Sequence, residues 1–482
     1  MRNKKTLISL FIALILSTIL ALIFTKAGVE IGLVVSIIPL VIFIVILSLY
    51  SPFFTYVLLF IANYYLIGLS RYLPGLKPGI TFDILLLFVF GTLIFQILIR
   101  KKIYWRRAFN FGTGLSLIWA LYCILEIFNP WSLSLTAWTT LIRGIALYMI
   151  IIIAYTSIMV TDFKKVKIVL FIWSILTLTA VLNTLTQKFI GFNYAEQRWL
   201  NEGGSVTHII GYGIRYFSFF SDAGNFGSSM GHSAVIFTGL AIYYKDIRYK
   251  IYYLVVALAA GYVLLLSGTR GAQAVPAVGF FMIAMLSKNI RVFISTFIVL
   301  IFAIVFLGYT TIGNSYQVIR RARTVFDRND ASYLVRVENQ KILRNALKDK
   351  PFGIGLGHKT QDNGYLADIA TDSWYVLLFV ETGIIGVVIN VLIYVIILGY
   401  GMWLVFFGLK NRNLSNIIGV IISGVLGIMA TSLGNEVLGQ FPTGMLTYMS
   451  LAIIIMSPYY DKQLTENAQS LIHSESTRIE NQ

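Results

Sequence analysis

About fourteen apolar runs, each long enough to cross a bilayer, constrain the fold of this chain more than any other feature. With 57% hydrophobic and only 12% charged residues, a soluble domain could not bury so much apolar surface. A backbone inside lipid must satisfy its own hydrogen bonds, which favours helices. We therefore predict an all-α polytopic membrane protein with about 14 transmembrane helices. The runs begin at Leu7, Gly28, Phe53, Phe82, Gly112, Thr139, Val166, Ser229, Tyr252, Ala272, Val292, Ile384, Leu414 and Thr443.

The basic residues in short loops predict the orientation of the chain. If the N-terminus is cytoplasmic, all of these clusters fall on the cytoplasmic side, as the positive-inside rule requires. The net charge of +17 then reflects membrane topology and gives no reason to expect nucleic acid as a partner. Both termini are predicted to be cytoplasmic, with a disordered polar tail after Tyr460. The clusters are Arg100–Lys102 with Arg106 and Arg107, Lys164–Lys167, Lys245–Lys250, Lys288 with Arg291, and Lys410 with Arg412.

Two long segments remain on the external side and divide the chain into six parts. The second contains an amphipathic stretch from Ser332 to Asp349 that ends before Pro351. This helix would fit a position along the membrane surface and equally one packed against the bundle. The predicted parts are N-terminal helices 1–187, first external loop 188–228, central helices 229–310, second external segment 311–383, C-terminal helices 384–460 and cytoplasmic tail 461–482.

Ionisable residues collect in the second external segment, between Pro351 and Gly386. Glycines at positions 353, 355 and 357 allow turns that a side chain would block. Ionisable groups at a membrane boundary are costly and typical of function. His358 can exchange a proton near neutral pH, whereas an exposed Asp372 would be ionised but a weak base. Both are candidate proton acceptors, and an ordinary loop histidine is the alternative for His358.

Several arginines lie on the predicted external side and are exceptions to the positive-inside rule that the basic clusters follow. Arg143 lies just inside the sixth apolar run, Arg215 in the first long segment and Arg270 at the end of the ninth run. The planar guanidinium suits bidentate binding of phosphate, and near lipid it needs a partner. These residues predict a cluster that binds a lipid-linked diphosphate. Each arginine alone would also fit a contact with lipid headgroups or a carboxylate.

Four motifs, in this order, resemble the O-antigen polymerase and ligase superfamily of bacterial membrane glycosyltransferases. Arg215 precedes an aromatic stretch and a Ser-Asp-Ala-Gly-Asn turn, and Arg270 lies in Ser-Gly-Thr-Arg-Gly-Ala. Arg336 matches a recurring arginine before the glycine turn. The Pro-Phe-Gly-Ile-Gly turn is followed by Glu-Thr-Gly-Ile-Ile-Gly. Asp372 occupies a position near the last motif where this superfamily commonly has a histidine.

The resemblance implies a polymerase that extends lipid-linked oligosaccharide repeat units of O-antigen, capsule or exopolysaccharide. It would act at the outer face of the bacterial cytoplasmic membrane, using a polyprenyl-diphosphate-linked oligosaccharide as donor and no metal or cofactor. The implied partners are membrane lipid and a chain-length regulator. The diphosphate would be bound by Arg143, Arg215, Arg270 and Arg336, and His358 or Asp372 would serve as the catalytic base.

Two alternatives remain open. An O-antigen ligase that transfers glycan to lipid A-core uses the same chemistry, and a transporter or flippase of lipid-linked sugars would also use an arginine-lined cavity. A transferase that uses nucleotide sugars is disfavoured because no predicted cytoplasmic loop is large enough for its catalytic domain. No histidine or cysteine spacing typical of a metal site occurs.

Overall fold

The computed structural model describes residues 29–99, 103–132, 134–211, 213–326, 331–357, 366 and 369–480. Helices dominate these ranges, and a two-residue antiparallel pair, β1 (Ile209–Ile210) with β2 (Gly213–Ile214), forms a small hairpin. The helices are α1 Val29–Tyr50, α2 Pro52–Tyr72, α3 Pro78–Leu98, α4 Phe111–Leu125, α5 Leu135–Ile142, α6 Tyr148–Met159, α7 Phe163–Phe189, α8 Tyr194–Trp199, α9 Ser205–His208, α10 Ala223–Tyr243, α11 Ile247–Leu266, α12 Ala274–Leu286, α13 Ile290–Tyr309, α14 Gln317–Arg323, α15 Ala331–Ala346, α16 Trp374–Trp403, α17 Arg412–Thr431 and α18 Thr443–Glu480.

The predicted all-α polytopic class is confirmed. Within the described residues, nine helical segments are long and apolar enough to cross a membrane. The run predicted from Leu7 lies outside the described residues, and each later run coincides with a helix. Four of these helices fall outside the nine segments. Helices α1 and α12 contribute only the shorter apolar stretches Ile38–Tyr50 and Gly271–Leu286, and polar and small residues interrupt the apolar sequence of α10 and α18.

Residues 60–83 and 104–482 contain a compact unit whose interior is built around α10 and α17. Nearly every residue of α10 is buried, whereas α13 has no buried residue and is therefore peripheral. Small residues allow the buried helices to approach closely. A Cβ added at Gly239 would lie 2.4 Å from Val420, and one at Gly427 would lie 2.7 Å from the Val275 carbonyl oxygen.

The other unit contains the described residues before Phe60 and those from Ile84 to Ile103. Its large apolar side chains, such as Ile42 and Leu87, are mostly exposed, as expected for a surface in lipid. Inside this unit, the amide of Gln96 donates to the Leu49 carbonyl, and the Thr55 hydroxyl donates to the Ser48 carbonyl at 3.0 Å.

The glycine turn packs directly against the beginning of α16. The Ile354 amide donates to the Val380 carbonyl at 2.9 Å, and the Gly357 amide donates to the Glu381 carboxylate. Gly383, with a φ of 65°, lets the chain bend against Pro351. The apolar run predicted from Ile384 coincides with the part of α16 that follows this bend, and a helical segment from Trp374, with Glu381 fully buried inside it, precedes the bend.

The amphipathic stretch before this turn forms α15, and its C-terminal part packs against the same unit. Leu343 lies in the last turn of α15, and Leu347 follows the end of the helix. Both are buried in a cluster with Ile354, Leu366 and Val380. Leu334 stays about half exposed. Of the two positions considered for this helix, packing against the bundle is the one that its C-terminal half adopts.

The polar tail is helical, which corrects the expectation of disorder. Helix α18 continues without a break to Glu480. Asp461 anchors it by accepting the backbone N–H groups of Lys410 and Asn411 at 3.0 and 2.8 Å. Lys462 and Glu466 add an i,i+4 ion pair of 3.8 Å, which favours the helix modestly.

Candidate active site

Three loop regions and one side of α15 enclose a polar cavity of about 400 Å³. The loops are the hairpin region before α10, the residues before α16 and the connection between α17 and α18. Three predicted site residues, Arg215, Arg336 and Asp372, line this cavity together. Its other charged or titratable lining residues are His208, Asp222 and Glu436. The cavity therefore combines two guanidinium groups with three carboxylates.

Arg215 is held in a fixed position at the end of the hairpin. Its two terminal nitrogens donate to the Thr207 carbonyl at 3.0 Å and to the Thr269 hydroxyl at 2.8 Å. Its Nε is buried without a hydrogen-bond partner. Burial lowers the pKa of this guanidinium, an effect that Asp222 opposes and Arg336 reinforces. A buried, incompletely paired guanidinium is well suited to bind an anion.

His208 supports the wall of the cavity in its neutral form. Its Nε2 accepts the Ala223 N–H at 3.2 Å, and its Nδ1 lies 2.9 Å from the Gly204 carbonyl oxygen. These contacts require the proton on Nδ1. The imidazole is 2% exposed, and burial lowers its pKa. His208 therefore stabilises the start of α10 and has no free nitrogen for catalysis.

Asp222 caps the same helix. Its Oδ1 accepts the N–H groups of Gly224 and Asn225 at 2.7 and 2.9 Å, as expected for an N-cap aspartate. Its Oδ2 accepts the Ser221 hydroxyl at 2.8 Å. Because both carboxylate oxygens are engaged, Asp222 shapes the cavity and adds negative charge to it.

Asp372 lies opposite α15 in a strained backbone conformation. Its φ of 51° is uncommon for an aspartate, and its carboxylate pairs with Arg336 at 3.5 Å. The following residues fix this position: the Ser373 hydroxyl and the Trp374 N–H each donate to the Ser432 carbonyl at 3.1 Å. Asp372 thus lines the cavity and is paired with an arginine.

Glu436 also lines the cavity, and the sequence analysis missed it. It accepts a hydrogen bond from the Thr371 hydroxyl, next to Asp372. The signal available in the sequence was its position as the one acidic residue between two apolar runs, in Gly-Asn-Glu-Val-Leu-Gly-Gln. Folding brings the connection between the last two helices against the residues on either side of Asp372.

Arg270 lies beside an apolar groove of about 700 Å³. Its guanidinium donates to the Thr324 hydroxyl at 3.1 Å and to the Thr324 carbonyl at 3.3 Å. The groove runs between α12 and α13, and Arg336 lines both this groove and the polar cavity. Arg336 thus connects the two spaces. The apolar lining includes Pro276, Ala277, Phe280, Val299, Leu300, Ala303, Ile304 and Leu307.

One predicted site residue, Arg143, is not brought into this arrangement. Arg143 pairs with Asp83 at 2.5 Å and lines neither space, and Asp83 also accepts the Tyr148 hydroxyl at 2.7 Å. This pairing was the alternative that the sequence left open for any single arginine. His358 lies outside the described residues. Among the residues that are described, no three His, Cys, Asp or Glu side chains form a group that could hold a metal ion.

Comparison with known proteins agrees with the ordered motifs. Residues 254–391 match the family model described as O-antigen ligase, a range that includes Arg270, Arg336, Asp372 and the glycine turn. No curated protein matches the chain significantly. The match supports a function of the O-antigen polymerase or ligase type in a multi-pass membrane protein. Over residues 254–391, the chain is therefore similar to the O-antigen ligase family.

Proposed function

We propose that this protein polymerises lipid-linked oligosaccharide repeat units by glycosyl transfer from a polyprenyl diphosphate donor. The acceptor is a sugar hydroxyl of a second lipid-linked glycan. The acceptor oxygen attacks the anomeric carbon, the bond from that carbon to the phosphate oxygen breaks, and the diphosphate leaves with the bonding electrons. No cofactor or metal takes part in this scheme.

The observation that carries the proposal is the junction of an apolar groove with an arginine-containing cavity. A polyprenyl diphosphate has a long apolar tail and a compact dianionic or trianionic head. The groove between α12 and α13 matches the tail, and Arg270 with Arg336 at its end matches the head. Because no residue of α13 is buried, the groove beside it lies where a membrane lipid can reach it.

Arginines near the leaving group would lower the barrier electrostatically. Charge develops on the diphosphate as the glycosidic bond breaks, and fixed guanidinium groups stabilise it more strongly in a water-poor cavity. Arg215 meets this requirement because its hydrogen bonds to Thr207 and Thr269 hold it before substrate arrives. It needs little reorganisation during the reaction.

The loop contacts support a reaction on the external face of the cytoplasmic membrane. The predicted cytoplasmic loops contact one another: Arg107 donates to the Thr161 carbonyl at 2.9 Å, and Tyr460 donates to the Val160 carbonyl at 2.8 Å. The cavity is formed instead by loops that the basic-residue pattern assigns to the other side. The positive-inside rule then assigns the cavity to the external face.

An assay with purified protein in vesicles and lipid-linked repeat units tests the proposal. A polymerase produces free polyprenyl diphosphate and longer lipid-linked glycan, with no loss of activity in a chelator. A ligase produces glycan only when lipid A-core is supplied. A transporter moves intact donor and leaves the glycan length unchanged, and that outcome would overturn the proposal.

The groove can be tested separately with a bulky substitution. Ala303→Trp fills the groove, so we expect at least a tenfold higher KM for a donor with a long prenyl chain and little change for a short-chain analogue. Ile298→Trp is the matched control, because Ile298 lies on the same helix, is 60% exposed and does not line the groove. Equal KM values for the two variants would contradict the assignment of the tail.

A further inference from the structure

We propose that a second, basic pocket beside the hairpin binds the anionic phosphate headgroup of a membrane phospholipid. The pocket has a volume of about 350 Å³ and is formed by the ends of α7 and α11, the hairpin and α14. This inference goes beyond the proposed function and does not depend on it, because occupancy by a lipid can be measured without turnover.

The charge of the pocket favours an anion. Lys188, Arg215 and Arg321 line it, and no acidic residue is among the described residues of its wall. The Lys188 ammonium donates to the Tyr262 hydroxyl at 2.7 Å, and Arg215 donates to a carbonyl and a hydroxyl. Asp222, which acts on Arg215, lines the polar cavity and not this pocket. Because the hydrogen-bond partners of Lys188 and Arg215 are neutral, both side chains present positive charge to the pocket.

The position of the pocket in the chain points to the same class of ligand. Its basic residues belong to segments that the basic-residue pattern assigns to the external side, where an excess of positive charge is not expected. A local cluster of basic residues there is explained by an anion that it binds. Basic side chains at a membrane surface attract anionic lipid headgroups.

A lipid-facing surface leads directly into the pocket. Helix α11 is one of the segments apolar enough to cross a membrane, and Leu254, Leu258, Tyr262 and Leu265 are exposed on one of its faces, at helical spacing. Leu265, at the end of this face, also lines the pocket. Acyl chains that cover this face therefore place their phosphate beside Lys188. This continuity favours a membrane lipid over a soluble anion.

The pocket is separate from the groove assigned to the donor tail. Arg321 lines the pocket, whereas the next residue, Ala322, lines the groove, so α14 forms part of the wall between them. An acceptor glycolipid fits the pocket poorly, because sugars separate its diphosphate from its reacting hydroxyl. The pocket adjoins the polar cavity at Arg215, where that hydroxyl is needed. A phospholipid meets neither difficulty.

A bound headgroup would connect elements that are distant in the chain. Lys188 ends α7, Arg321 lies on α14, and Ile214 with Arg215 belongs to the hairpin region. A phosphate has several acceptor oxygens, so it can accept from more than one of these basic groups. Because a ligand that binds the folded state stabilises it, anionic lipid should raise the melting temperature of the protein.

Protection of an introduced cysteine tests occupancy at the pocket itself. Ile214→Cys places a thiol in the pocket wall, and Ile209→Cys is the matched control, because Ile209 is exposed on the paired strand and does not line the pocket. The full-length variants are placed in vesicles of phosphatidylcholine alone or of equal parts phosphatidylcholine and phosphatidylglycerol. We expect phosphatidylglycerol to slow the reaction of Ile214→Cys with an uncharged maleimide several-fold and to leave Ile209→Cys unchanged.

Lys188→Gln tests the charge, because glutamine can still donate to the Tyr262 hydroxyl. In the Ile214→Cys background, the phosphatidylglycerol fraction that gives half-protection should rise about fivefold, the effect of one basic side chain on anionic lipid. Lys188→Arg should keep the protection. Lys341→Gln, which removes an exposed lysine of α15 outside the pocket, is the control and should behave like wild type. If Lys188→Gln melts earlier than wild type in phosphatidylcholine, Arg321→Gln takes its place.

Three results would overturn the inference. The first is an equal labelling rate of Ile214→Cys in both kinds of vesicle, or protection that Lys188→Gln leaves intact. The second is equal protection by inorganic phosphate in phosphatidylcholine vesicles, which would assign the pocket to a soluble anion. The third is displacement of phosphatidylglycerol by polyprenyl diphosphate, which would assign it to a second substrate. Because none of these measurements uses turnover, a failure of the polymerase assay leaves the lipid site standing, and the reverse also holds.

Discussion

At the scale of single residues, the partner of each external arginine separates binding groups from structural ones. Arg143 is neutralised by a carboxylate, whereas Arg215 is held by a carbonyl and a hydroxyl that leave its charge in place. Arg270 donates to the hydroxyl and the carbonyl of Thr324 at the end of the apolar groove. A guanidinium fixed by neutral partners keeps its full charge for an anionic ligand.

Because Arg270 lines the groove assigned to the donor, it should matter for donor affinity. Charge-assisted hydrogen bonds contribute roughly 1.5–3 kcal/mol each, so Arg270→Ala should weaken donor binding by about 10- to 100-fold. Arg270→Lys keeps the charge without the planar fork and should fall between Ala and wild type. Arg248→Ala, which removes an exposed arginine in the first turn of α11, is the control. Equal donor affinity in all four proteins would refute the binding role.

His208 should make the stability of the protein depend on pH. Its pKa in the folded state is lowered by burial, so below the unfolded value of about 6.5 the unfolded chain binds more protons. The contribution of His208 to the free energy of unfolding should therefore be fully present at pH 7.5 and should decrease as the pH drops through about 6.5. His208→Gln should lose less stability between pH 7.5 and 5.5 than wild type does, measured as the melting temperature in detergent. A parallel decline in both proteins would contradict this role.

At the scale of structural elements, the glycine turn and α16 depend on each other. A Cβ at Gly383 would lie 1.9 Å from the Pro351 carbonyl oxygen, at a φ of 65°. One at Gly353 would lie 2.6 Å from the Gly383 nitrogen. The two glycine-containing motifs thus form a single packed unit, which orders the backbone leading into α16.

Gly383→Ala should disrupt this unit. Backbone strain alone costs roughly 1–3 kcal/mol, and the clash with Pro351 adds to it, so we expect a clearly lower melting temperature. Gly399→Ala is the control on the same helix, because no atom lies within 4 Å of a Cβ there. That variant should keep or slightly raise stability. A Gly383→Ala protein as stable as Gly399→Ala would rule out the packing argument.

At the scale of the whole molecule, the proposed reaction requires the cavity to face the outside of the cell. The native Cys123 is fully buried and should not react with a thiol reagent, so labelling reports on single cysteines introduced elsewhere. We expect a membrane-impermeant thiol reagent to label Asn201→Cys in intact cells. Lys245→Cys should be labelled only after the membrane is opened. Both sites are exposed, and the reverse pattern would invert the topology and contradict the mechanism.

The sequence by itself determined the fold class and most of the helix positions. Apolar runs such as those from Gly112 and Leu414 coincide with α4 and α17, because the length and polarity of a span are fixed by the bilayer and can be read locally. The motif arginines Arg215, Arg270 and Arg336 were also identified, since a charge near lipid stands out in an apolar sequence.

Only the tertiary structure decided which of these residues share a site. It paired Arg143 with Asp83 and Arg336 with Asp372, and it brought Glu436 beside Thr371. Such contacts join residues distant in the chain, and no local pattern encodes them. The helical segment that precedes Gly383 in α16 has the same origin, because it buries Glu381, whose carboxylate accepts the Gly357 amide from a distant turn. Local length and polarity therefore predict the transmembrane spans, whereas long-range packing determines which side chains meet in the site.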